Sequence, residues 1–77
     1  MSANLNEILL HIDEFLDEFS MHRLEEDMRA DAGVVSVGHN PGQAHMLMVV
    51  YDSESTRAAH LLQRVEAQGL HGQIVGM

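Results

Sequence analysis

The sequence predicts one α+β domain, on three observations. A chain of 77 residues has room for a single core, because domains usually run about 50–250 residues. From Gly33 onward, apolar segments of strand and helix type follow in the order strand, strand, helix, strand. Before Gly33 lies a long amphipathic run whose apolar face changes side near Ser20.

Gly33 opens the strand Val34-Val35-Ser36-Val37. The next seven residues, Gly38 to Ala44, carry the turn pair Pro41-Gly42. His45 to Tyr51 reads as a second strand, β-branched and aromatic towards its end, so the two form a hairpin. Asp52 to Gln68 has helical spacing, with Leu61, Leu62 and Val65 on one face. Ser55 or Thr56 is the capping candidate and Gly69 the stop. Leu70 to Val75 is a last short strand.

The first third has two solutions. Leu5, Ile8, Leu9, Ile12, Phe15, Leu16 and Phe19 fall within about 120° of arc on a helical wheel. Met21, Leu24 and Met28 land on the opposite side, so one straight helix cannot bury both sets against one sheet. Either residues 5–19 and 21–31 are two helices, giving ααββαβ, or residues 8–12 are a strand and a helix runs from about 19 to 31. Local periodicity favours the first.

Composition excludes several functions. The formal charge of −8 and pI near 4.9 argue against nucleic acid or an anionic membrane surface as partner, since both require a basic face. With no cysteine there are no disulfides, thiolate metal sites or Cys nucleophiles. No apolar run approaches the roughly 18 residues that span a bilayer. The start, Met1-Ser2-Ala3-Asn4, lacks the basic and apolar regions of a secretory leader, so a small soluble cytoplasmic protein is expected. No nucleophile elbow, glycine-rich phosphate loop or His-Glu-x-x-His occurs, and no enzyme activity is expected. Six His and six Met are a high density of the donors that borderline and soft metals accept when thiolates are missing.

Three stretches carry a resemblance: Gly33-Val34-Val35-Ser36-Val37, the strand end Val49-Val50-Tyr51-Asp52, and Val65-Glu66-Ala67-Gln68-Gly69-Leu70. They resemble the second half of a heavy-metal-associated domain, the copper-chaperone-like module that also occurs in metal-pumping ATPases. In that family a strand leads through Cys-x-x-Cys into the first helix, which ends at a Gly-Val. Laid on this chain without a gap, Leu10-His11-Ile12-Asp13 takes the strand, Leu24 and Met28 the helix core positions, and Gly33-Val34 the helix end. The resemblance covers roughly residues 8–75 of a single domain spanning 1–77. It implies a ferredoxin-like βαββαβ sandwich, a four-stranded antiparallel sheet of order 4-1-3-2 with two helices on one face. The strand at 8–12 is therefore preferred over the local helical pattern, because without it two strands would lose their partner. The core expected in this fold is Leu10, Ile12, Leu24, Met28, Val37, Leu47, Val49, Leu61 and Val65.

The family's two cysteine positions hold Asp17 and Ser20, hard oxygen donors that cannot reproduce linear thiolate binding of monovalent copper. One candidate metal site is this former metal loop, Asp17, Ser20, Met21 and His22; the competing reading makes Asp17 or Ser20 a helix cap and Met21 core. A second depends on strand alternation, which puts Leu9, His11, Met46, Met48, Val50, His71, Gln73 and Val75 on the open side of the sheet. There His11, Met46, Met48 and His71 form a His/Met face suited to copper, or a contact surface for a partner or a second copy of the chain. The transition metals these donors suggest are copper, zinc and nickel. A third feature is acidic: Asp13, Glu14, Asp17, Glu18, Glu25, Glu26 and Asp27 form a solvated face, or steer a basic partner. His39 is expected at a strand end near the hairpin loop. Two functions remain. One is a metal-handling module with a His/Met/carboxylate site or a lost site. The other is an interaction or regulatory module whose partner is itself, as a homodimer, or a metal transporter.

Overall fold

The computed structural model describes residues 4–76. Met1, Ser2 and Ala3, on which the absence of a leader was read, and Met77 lie outside them. The order is β1 (Leu5–Ile12), α1 (Glu18–Arg29), β2 (Val34–Gly38), β3 (Met46–Asp52), α2 (Ala58–Glu66) and β4 (Gly72–Gly76). The four strands form one antiparallel sheet of order β2-β3-β1-β4, with β1 between β3 and β4. This is the βαββαβ arrangement, and it decides the N-terminal third against the helix.

The helical periodicity of residues 5–19 is overridden by tertiary pairing. In β1, Ile8, Leu10 and Ile12 alternate into the core while Leu9 and His11 turn to the other face. The strand begins at Leu5, three residues before the expected start, because its first residues pair with the far end of β3, Leu5 opposite Asp52. Phe15 and Phe19, two of the seven residues that made the run look helical, are 73% and 70% exposed.

The core lies between the sheet and both helices: Ile8, Leu10 and Ile12 of β1, Met21, Leu24 and Met28 of α1, Leu47, Val49 and Tyr51 of β3, Val37, Leu61 and Val65. All nine expected core residues are among them. The face of β3 is assigned by register, since Leu10 stands opposite Leu47 and Ile8 opposite Val49.

Both helices are shorter than the sequence suggested. α1 starts after Asp17, whose carboxylate accepts a hydrogen bond from the Ser20 amide at 2.8 Å. α2 begins after Arg57, which gives no side-chain cap; the expected caps are used elsewhere. The Ser55 hydroxyl reaches Asp52, and the Thr56 hydroxyl donates to Asp31 across the α1–β2 turn. The expected stop holds: Gly69 has φ +82°, the left-handed conformation that glycine adopts without steric cost.

Candidate functional site

The segment joining β1 to α1, residues 13–17, leads into the positions that the resemblance matched to the two cysteines, Asp17 and Ser20. Asp17 is the N-cap of α1. Its hydrogen bonds with Ser20 hold the carboxyl below the usual aspartate range. Met21 is 1% exposed and packs in the core, where it also forms part of the wall of a small cavity beside Asp17. His22 turns away, 67% exposed, with Nδ1 3.5 Å from Glu25. The four predicted ligands are therefore not brought together. Among the described residues no group of three or more His, Asp or Glu side chains converges to hold a metal ion. Asp17→Ala is expected to lower the urea midpoint through the lost cap.

The loop and the first turn of α1 expose two aromatic side chains. Phe15 and Phe19 stand outward among Asp13, Glu14, Asp17 and Glu18. Phe15 meets the edge of His45 at 6.0 Å between ring centroids, and the Arg23 guanidinium lies 5.9 Å over the Phe19 ring. His45 is a fixed support: its Nδ1–H donates to the Ile12 carbonyl at 2.8 Å, and the Ile12 amide donates back to the His45 carbonyl. His11 stacks on it at 5.7 Å.

The loop is tied to the start of β4 by Glu14 and His71. Glu14 accepts hydrogen bonds from the His71 amide at 2.8 Å and from its ring Nδ1 at 2.6 Å. Those bonds push the histidine pKa up and the carboxyl pKa down. His71 contributes stability that is lost as pH rises through its raised pKa. Glu14 contributes stability that is lost as pH falls through its lowered one. The tie is therefore fully present between the ordinary values of 4.5 and 6.5 and weakens outside them. Following the Glu14 and His71 amides by NMR from acid to alkaline pH should show both limits.

The open face of the sheet is assembled only in part. Met46 is the cross-strand partner of His11, Met48 that of Leu9, and Gln73 flanks His11 on the other side. Met46 and Met48 line a groove of about 310 Å³ with Leu9, Gly38 and Gln43. His71 does not join them. It precedes β4, is 77% exposed and is held by Glu14.

The sequence reading missed a buried polar cluster on α1. Glu25, placed there on a solvated acidic face, is 3% exposed. Its Oε2 lies 2.5 Å from His39 Nδ1, while His39 Nε2 is 3.2 and 3.3 Å from the two oxygens of Glu18. Glu18, His22 and Glu25, at i, i+4 and i+7, share one side of α1, beside the Met21/Leu24/Met28 stripe. That position was the available signal, since a carboxylate at the edge of a core stripe requires a partner. More broadly, His11, His22, His39, His60 and His71 each approach a carboxylate. The four basic residues of the chain are all arginine, and one of them, Arg64, stands beside a carboxylate as well, that of Asp27.

No protein-family model matches the chain, and no curated protein matches it. Solved structures do. The N-terminal domain of a potential copper-translocating P-type ATPase from Bacillus subtilis, in its Cu(I)-loaded state, superposes with a TM-score of 0.83 at 17% identity, covering 94% of this chain and 89% of that one. Oxidized MerP from Ralstonia metallidurans CH34 gives 0.80 at 13% identity, over 91% and 96%. A copper binding domain from the P-type ATPase HMA7 gives 0.81 at 16%, over 91% and 93%. The chain has the fold of heavy-metal-associated domains, as its residues suggested. It lacks their Cys-x-x-Cys, for it has no cysteine. The similar structures are metal-binding domains of chaperones and transport ATPases. Among the described residues no helix is long and apolar enough to cross a membrane.

Proposed function

We propose that this chain is a protein-contact module built on the heavy-metal-associated fold. The loop that carries metal elsewhere in the fold here presents Phe15 and Phe19 to a partner. The carrying observation is their exposure, 73% and 70%, in an acidic stretch of sequence, while the residues at the cysteine positions are a helix cap and its hydrogen-bond donor. Thiolate chemistry does not fit this loop, since the chain has no cysteine and the oxygens of Asp17 and Glu14 are hydrogen-bonded to Ser20 and His71. Large exposed aromatics on a small domain mark contacts, and a net charge of −8 favours a basic partner surface. By analogy with the similar structures from transport ATPases, the partner class is a soluble domain of a metal transporter.

The test is binding of purified transporter domains at low and high salt. Binding that weakens with salt and disappears in a Phe15→Ser, Phe19→Ser double variant is expected, because both side chains lie outside the core. Binding that survives the double variant contradicts the reading. Sedimentation velocity separates a further outcome. A homodimer abolished by Met46→Glu with Met48→Glu would move the contact to the open sheet face.

A further inference from the structure

We propose that His39 is a proton-operated latch joining the loop between β2 and β3 to α1. Both its nitrogens face carboxylates: Nδ1 lies 2.5 Å from Oε2 of Glu25, and Nε2 lies 3.2 and 3.3 Å from the oxygens of Glu18. Ionised carboxylates only accept hydrogen bonds, so both contacts are satisfied together only when both ring nitrogens carry hydrogen. The bridged state is therefore the imidazolium. His39 is 10% exposed on its side chain and Glu25 4%, so water replaces neither partner cheaply.

The location gives the proton something to move. His39 is the first residue after β2, and the loop it opens runs through Pro41 and Gln43 to His45. The far end is pinned to β1 by the paired bonds of His45 and Ile12. Within the loop, Asn40 and Gln43 bond to each other rather than to α1. Between loop and helix lies a cavity of about 200 Å³ lined by Phe15, Leu16, Glu18, His39 and Pro41 among others.

Removing the proton leaves one N–H for two carboxylates. That hydrogen stays with Glu25, which is buried, and the bare Nε2 lone pair then faces Glu18. Glu18 is 64% exposed and swings to water, which opens the cavity on the α1 side. The charged groups facing His39 all come from α1 and its cap: Glu18, Glu25, His22 with its ring edge-on at 6.0 Å, and Asp17 at the cavity rim. The residues of the loop and β3 that line the two cavities beside it, Asn40, Pro41, Gln43, Ala44, Met46 and Met48, are uncharged. The hydrogen bond to Glu25 raises the His39 pKa above 6.5 against the opposing effect of burial, and Glu18 adds to the rise. The latch is closed below pH 6.5 and opens as pH climbs through the raised value. It does not rest on the contact function proposed above.

The experiment is an NMR titration of the whole chain from pH 5 to about 9, reading both His39 ring nitrogens and the backbone amides. The expected result is a doubly protonated ring at the acid end and a midpoint above 6.5. The amides of residues 18–21 and 39–44 should move with that same midpoint. Glu18→Gln, an exposed and fold-neutral change, should lower the midpoint and shrink the loop response, while His71 keeps its own titration. A His39 midpoint at or below 6.5, loop amides that ignore it, or a Glu18→Gln titration identical to the parent would each overturn the latch.

Discussion

Leu61→Ala is expected to destabilise the domain by about 2–5 kcal/mol, a large share of the roughly 5–15 kcal/mol available to a protein. Leu61 is fully buried on α2 and belongs to the single core between sheet and helices. A chain of this size buries only about 60% of its unfolded surface, so little remains to absorb the cavity. Urea denaturation followed by circular dichroism measures the change. A cost under about 1 kcal/mol would place Leu61 outside the packed core.

Gly33→Ala is the second large effect, and it arises from close approach. A Cβ at Gly33 would stand 2.6 Å from Thr56 Cγ2 and 2.9 Å from Thr56 Cβ. The Gly33 amide donates to Asp31, its carbonyl accepts from the Asp52 amide, and Asp31 also holds the Thr56 hydroxyl and His60. With both sides anchored, the clash cannot relax by a simple rotation. A cost of about 1–3 kcal/mol is expected, as for other overpacked sites. Gly38→Ala is the control, since a Cβ there meets nothing within 4 Å and should change stability by less than about 0.5 kcal/mol. Equal costs for the two would refute the packing account of Gly33.

These two residues also show what the sequence made legible. Leu61 and Val65 recur at helical spacing, and Leu47, Val49 and Tyr51 alternate, so the second half followed from period alone. The first half did not. Phe15, Leu16 and Phe19 continue the apolar arc begun by Ile8 and Ile12, yet the two phenylalanines face solvent. Periodicity counts apolar residues without knowing which serve a surface, and it was the strand order implied by the family resemblance, with β1 between β3 and β4, that reversed the reading.

The site was legible as a position more than as chemistry. Asp17 as a cap and Met21 as a core residue were among the weighed alternatives, and the local geometry has both. The open face holds His11 beside Met46 as strand register required. His71 left that face because Glu14, distant in sequence, captures it. Glu25 and His39 were missed for the same reason: a buried ion pair between residues fourteen positions apart leaves no periodic trace. Long-range pairs of this kind are set by the tertiary fold, and three of the six histidines, His39, His60 and His71, stand beside a carboxylate distant in sequence.

The most direct measurement is a titration of isotope-labelled protein with monovalent copper, followed residue by residue by NMR in the absence of oxygen. The contact account predicts that the amides of residues 13–22 stay in place at stoichiometric copper, since Asp17 and Ser20 are engaged with each other and Met21 is buried. Shifts confined to residues 11, 46 and 48 would locate a metal on the open sheet face and leave the loop free for a partner. Saturable shifts at Asp17, Ser20, Met21 and His22 would contradict the account, because they would show the loop still binding metal without its cysteines.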